Sequence, residues 1–119
     1  MPNKNHIRIQ HMLDAANEAT SFIKNRTRED LNDNRLLTLA LTKSIEIIGE
    51  AANHVDIETQ KKFSDIPWND IVGMRNRLVH GYYDIDLDRV WDTLTDDLPP
   101  LIDDLQDLIG EVSKCNVDI

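Results

Sequence analysis

The sequence is poor in the residues that punctuate and staple chains: one cysteine, four prolines and four glycines in 119 residues. Cys115 alone closes no internal disulfide, which excludes a small disulfide-stapled scaffold, and no base or cation pattern beside it marks a nucleophile. Long stretches free of glycine and proline leave too little turn chemistry for an all-β fold. No uncharged apolar run approaches the roughly 18 to 20 residues that span a bilayer, and the start MPNKNHIRIQ lacks the apolar run of a signal peptide. The expectation is a cytoplasmic protein with no membrane association. Basic residues are also scarce: 13 Lys and Arg face 22 Asp and Glu, a net charge of −9. A broad basic surface for duplex nucleic acid is thereby excluded, because such affinity comes from cations neutralising phosphates.

What remains is ordinary for a globular chain. Hydrophobic residues make up 40% and charged residues 29%, so a single packed domain over residues 1–119 is expected, with no repeat or linker. The charge is uneven: residues 1–28 carry +3, residues 29–83 carry −3 and residues 84–119 carry −9. A polyanion site must therefore be local, built from the N-terminal segment or the Lys61 to Arg77 stretch. The acidic C-terminal third reads as a solvated helix face.

Apolar residues recur at helical spacing through most of the chain. Ile9, Met12, Leu13, Ala16, Ala19 and Ile23 predict a first helix from about His6 to Lys24. Thr27 and Asp30 resemble a capping pair before a longer helix from Asp33 to about Asn53. The apolar residues of that second helix cover more than half its circumference, which predicts a central position or a place at a subunit interface. Asp56 suits the cap of a short helix through Lys62, and Pro67 suits the first turn of a third main helix from Trp68 to His80. Asp86 suits the cap of a last apolar row running from Leu87 to Val112. Pro99 and Pro100 interrupt that row, giving either a fresh start or one long kinked helix. The fold class expected is all-α: an up-and-down bundle of four principal helices plus short helical segments.

Chemistry concentrates in Arg75-Asn76-Arg77-Leu78-Val79-His80-Gly81-Tyr82-Tyr83. If this stretch is helical, Asn76 and His80 share a face while Arg75 lies about 140° from His80, so one rigid helix does not aim all of them at one point. Gly81 is able to end the helix and let the tyrosines turn back. A plain helix end, with His and Arg favouring the dipole and the tyrosines packed, is the alternative.

Arg75-Asn76 followed by His80 matches the R-x4-H signature of the HEPN superfamily, and Tyr82 extends it to the R-x4-H-x-Y of HepT-like toxins. The blocks IEIIGEAA (45–52), IPWNDIVGMRNRLVHGYY (66–83) and DLDRVWDTLTDDLPPL (86–101) also resemble that family, so the similarity runs over nearly the whole chain. The resemblance implies an HEPN-like bundle acting as the toxin of a toxin–antitoxin pair. Its activity is that of a metal-independent endoribonuclease working without a cofactor, as a homodimer with two R-x4-H segments in a shared cleft. His80 is then general acid/base, Arg75 the phosphate and transition-state contact, and Asn76 a positioning donor. The implied partners are an RNA substrate and a minimal nucleotidyltransferase antitoxin, MntA-like, that adds AMP to Tyr82. A non-catalytic HEPN interaction module is the alternative.

Other constellations carry less. Glu46, Glu50 and His54 follow one another at four-residue steps, offering two carboxylates and an imidazole to a metal, or simply a solvated and ion-paired edge. Pairing of Glu50 with Arg75 is a further option. His6 and His11, five apart, do not share a helix face and read as surface residues, and Trp68 and Trp91 read as core anchors.

Overall fold

The computed structural model describes residues 4–80 and 84–117, with side chains as far as Glu111. The helices are α1 (Lys4–Phe22), α2 (Asp30–Asp33), α3 (Arg35–Asn53), α4 (Ile57–Lys62), α5 (Trp68–Leu78), α6 (Leu87–Asp92) and α7 (Leu98–Val117). Between α5 and α6 the short strands β1 (Val79–His80) and β2 (Asp84–Ile85) form an antiparallel pair. The all-α expectation holds, with the hairpin as its single departure among the described residues.

The second predicted helix forms as α3, starting at Arg35 instead of Asp33, and the separate turn α2 precedes it. Asn34 leaves the helical region at φ −117° and ψ 88°, separating α2 from α3, and its side chain accepts the Leu37 N–H at 2.9 Å. Thr27 and Asp30 do pair, the Thr27 N–H donating to the Asp30 carboxylate at 2.8 Å, but they fix the entry to α2 rather than to the long helix. α3 is central, packing on α1 and α5, and α1 packs in turn on α7. Leu41, Ile45, Ile48 and Ala52 along α3 are essentially inaccessible, as are Ile9, Met12, Ala16 and Ala19 of α1. Small residues let the helices approach: a Cβ on Gly49 would lie 3.0 Å from the Ile71 carbonyl oxygen and 3.3 Å from that of Val72. Of the buried hydroxyls, those of Thr38 and Ser44 are satisfied by the carbonyls of Leu31 and Ala40.

α3 also keeps an outward apolar stripe. Leu36 is 80% exposed, Leu39 46% and Ile47 38%, and at 100° per residue the three fall within an arc of about 80°.

The caps at Asp56 and Asp86 form as expected, accepting the N–H groups of Thr59 at 2.8 Å and Arg89 at 3.2 Å. The two prolines neither restart nor break the last helix. α6 continues into α7 through a π-helical turn at Thr93–Asp97, where the Leu98 N–H bonds to the Thr93 carbonyl five residues back. Pro99 and Pro100 bring no N–H for the carbonyls a turn behind them, and the wider turn makes room for their rings.

The third main helix is shorter than expected, ending at Leu78 and not at His80. Val79 is extended at φ −122° and ψ 118°, is buried, and stands opposite Ile85; the Asp86 N–H then takes the Leu78 carbonyl at 2.8 Å. A β-branched residue with an apolar strand partner gains more from this pairing than from another helical turn.

Candidate active site

The site starts from the buried row of α5. Trp68, Ile71, Met74 and Leu78 face the core, and the Trp68 indole N–H donates to the Phe63 carbonyl at 3.1 Å. This fixes the rotation of the helix, leaving Arg75 half-buried beside the row and Asn76 and Arg77 exposed. The two arginines differ in what they hold. Arg77 donates to the Asp70 carbonyl at 2.6 Å and lies 3.6 Å from the Asp70 carboxylate, so its charge is already met. Among the described residues Arg75 has no carboxylate partner, and its polar contact is a long one, 3.5 Å, to the amide oxygen of Asn76. A half-buried guanidinium with no acid beside it is the cation of this segment most available to a phosphate.

His80 is reached from the same turn. The last bond of α5 runs from the Val79 N–H to the Arg75 carbonyl, so the strand carrying His80 leaves directly from the turn that carries Arg75. Successive strand residues point to opposite faces: Val79 and Ile85 turn inward and pack on the core, while His80 and Asp84 are exposed on the outer face. The expected helical relation between Asn76 and His80 therefore fails, since His80 belongs to the hairpin. Tyr82, Tyr83 and Gly81, with the modification site and the helix stop expected there, lie outside the described residues.

The sequence reading did not single out Asp84, which the hairpin sets directly across from His80. The signal available was the mirrored order Val-His and Asp-Ile around a three-residue connection containing glycine. The acids that follow are engaged: Asp86 lies 3.4 Å from Arg89 and Asp88 2.6 Å from Arg28.

The other constellations do not assemble into sites. Among the described residues no group of three or more His, Cys, Asp and Glu is placed to hold a metal ion, so Glu46, Glu50 and His54 form no such cluster. Glu46 instead lies 3.8 Å from Lys43, and no ion pair joins Glu50 to Arg75. Trp68 is buried in the core and Trp91 packs against it, as anchors. Cys115 lies outside the described side chains. Two surface hollows of about 520 and 440 Å³ lie along α7 and share Asp104. Their rims are mostly acidic, with Asp65, Asp107 and Glu111 beside Lys62 on one and Asp70, Asp96 and Asp97 beside Arg77 on the other, which disfavours a polyanion there. No helix among the described residues is long and apolar enough to cross a membrane.

Comparison with known proteins supplies the family. The chain is 31% identical over 93 residues to a Methanocaldococcus jannaschii protein whose name proposes an RNase, covering 78% of this chain and 85% of that protein. It is 31% identical over 101 residues to a similarly named protein of Caldanaerobacter subterraneus, covering 85% of this chain and 90% of the relative. It is also 32% identical over 88 residues to a Thermococcus cleftensis protein named as a probable ribonuclease HepT, covering 71% and 80%. No solved structure gives a significant match. The ribonuclease HepT-like family profile matches residues 12–108, a span that runs from within α1 through α3 and α5 and holds the Arg75 to His80 segment, and the chain belongs to that family.

Proposed function

We propose that this chain is a metal-independent endoribonuclease, the toxin of a toxin–antitoxin pair, acting in the cytoplasm as a homodimer. The observation that carries the reading is the difference between the two arginines: Arg77 is paired with Asp70, whereas Arg75 has no ion-pair partner among the described residues and shares its turn with the root of the His80 strand. The ribonuclease names of the relatives support the same reading.

RNA carries its own nucleophile. The 2′-oxygen forms a bond to phosphorus as its proton passes to a base, and the bond from phosphorus to O5′ breaks as that oxygen takes a proton from an acid. The products are a 2′,3′-cyclic phosphate and a 5′-OH. No step requires a metal, because the groups needed are a proton acceptor, a proton donor and a cation for the charge on the pentavalent phosphorane. His80 fills a proton role, Arg75 the cationic one, and Asn76 holds the phosphate through its amide. One chain offers one such histidine, and a two-fold dimer supplies the second. The outward stripe of Leu36, Leu39 and Ile47 supplies apolar surface for that dimer.

The antitoxin in this reading is a minimal nucleotidyltransferase that adds AMP to Tyr82. The added phosphate competes with substrate for Arg75 and the adenosine fills the cleft. An interaction module without catalysis is the second reading, favoured by the net charge of −9 and the acid-rimmed hollows along α7. The test is RNA cleavage in EDTA by wild type, Arg75→Ala and His80→Ala, with circular dichroism as the folding control. Cleavage lost in both variants supports the enzyme; cleavage that needs a divalent ion or survives His80→Ala refutes it. Co-expression with the cognate nucleotidyltransferase should place the adduct on Tyr82 and silence cleavage, and an adduct on Tyr83 contradicts the control mechanism.

A further inference from the structure

We propose that Asp84 is a positioning residue for His80, its carboxylate accepting one imidazole N–H and thereby fixing which ring nitrogen is left to exchange a proton with RNA. The inference rests on the ribonuclease reading for its consequence, and on the hairpin for its geometry.

Three observations place the pair. First, His80 and Asp84 are directly opposed in the antiparallel register, next to the opposed pair Val79 and Ile85. Second, the burial alternates as the pleat requires: Val79 is 5% exposed and Ile85 packs on the core, so His80 and Asp84 share the outer face. Third, Asp84 is the one acid of the Asp84–Asp88 stretch without an ion-pair partner among the described residues, Asp86 being taken by Arg89 and Asp88 by Arg28.

The spacing suits a hydrogen bond. The Asp86 N–H bonds to the Leu78 carbonyl at 2.8 Å, making Leu78 and Asp86 a hydrogen-bonded pair of the ladder. Alternation then makes Val79 and Ile85 a non-bonded pair and His80 and Asp84 a bonded one, with Cα atoms about 5.5 Å apart. Opposed side chains at that spacing start from Cβ atoms about 5 Å apart. No hydrogen bond joins the two side chains in the structure, and both are exposed, so staggered rotations of each ring and carboxylate are open to close the gap.

The chemical consequence follows from the tautomer. A neutral imidazole carries its proton on one nitrogen, and a carboxylate accepting that N–H leaves the lone pair of the other nitrogen aimed away from it. In the cleavage step the 2′-OH proton passes to that lone pair as the bond from O2′ to phosphorus forms. Asp84 takes no proton itself; it orients the ring and faces the imidazolium that results. Its charge also repels substrate phosphate, so its removal should weaken turnover without weakening RNA binding. A residue that only held the hairpin together would affect both.

The experiment uses the full-length protein, ¹⁵N-labelled at histidine, with His80 assigned by its loss in His80→Ala. The RNA probe is a long mixed-sequence single strand. In wild type one His80 tautomer should dominate. In Asp84→Ala the two tautomers should mix, the single-turnover cleavage rate should fall about tenfold, and RNA affinity should stay equal or tighten. Asp84→Glu, which keeps the carboxylate, should restore the tautomer and most of the rate. An unchanged tautomer balance and rate in Asp84→Ala, while His80→Ala is inactive, overturns the role of Asp84 and leaves the ribonuclease reading standing. If wild type cuts no RNA, that reading falls, and the tautomer spectra alone decide the pairing, mixing on Asp84→Ala supporting it and no change overturning it.

Discussion

Replacing Gly49 by alanine tests the packing that holds the site. The added methyl would sit 3.0 Å from the Ile71 carbonyl oxygen and 3.3 Å from that of Val72, both backbone atoms of α5, so that helix has to retreat by a few tenths of an ångström. Overpacking of this kind costs about 1–3 kcal/mol. Against it stands the gain of about 1 kcal/mol from removing a glycine in a helix interior. α3 is held in its turn by Ile45, Ile48 and Ala52, buried in the core beside Gly49. The net expectation is a loss of about 1 kcal/mol, or about 4 °C in melting temperature for a domain of this size. Gly110→Ala is the control: nothing lies within 4 Å of the place its added methyl would take on α7, so the propensity gain of about 1 kcal/mol should appear as a rise of similar size. Thermal and urea unfolding at matched protein concentration measure both. Arg75 lies one turn along from Ile71, so cleavage by Gly49→Ala should also fall while that of Gly110→Ala stays level. A stabilised Gly49→Ala would refute the close approach of α3 and α5.

Two further predictions concern assembly and pH. Light scattering should find a dimer, and Leu36→Asp should weaken it about a hundredfold, since two leucines lose about 1.5 kcal/mol of burial each in a two-fold interface; a wild-type monomer with full activity contradicts the shared cleft. Asp56 is held below the ordinary carboxylate range, first by the Asn5 amide at 2.7 Å and then by the Thr59 N–H at 2.8 Å. Its folded value being lowered, the ionised cap stabilises above the unfolded value and that stability is lost as pH falls through the folded one. Asp56→Ala should thus cost about 1 kcal/mol near pH 7 and progressively less below about pH 4; urea midpoints that stay equally far apart at both pH values contradict it.

The helices were legible because their apolar rows carry the period and their caps carry the ends, as at Asp56 and Asp86. Asn34 was not, because it stands in the run Asp30 to Asn34 where several residues compete to cap and only the packing of α3 selects one. The end of α5 was misread for a different reason: no glycine or proline stands beside Val79, and the signal is its strand partner Ile85, six residues on. That error hid Asp84, since a helix through His80 gives it no strand partner. Arg75, Asn76 and His80 were legible as a motif, while the contrast between Arg75 and Arg77 depends on where Asp70 sits and needed coordinates.

The central claim is that the Arg75 and His80 site cuts RNA with the RNA's own 2′-OH. The most direct measurement maps a cleavage site in an RNA, then replaces the single nucleotide 5′ to it by its 2′-deoxy counterpart and analyses the ends of the products. The account predicts a 2′,3′-cyclic phosphate and a 5′-OH from the all-RNA strand and no cleavage at the deoxy position. Cleavage persisting at the 2′-deoxy nucleotide, or a 5′-phosphate on the downstream product, would contradict it.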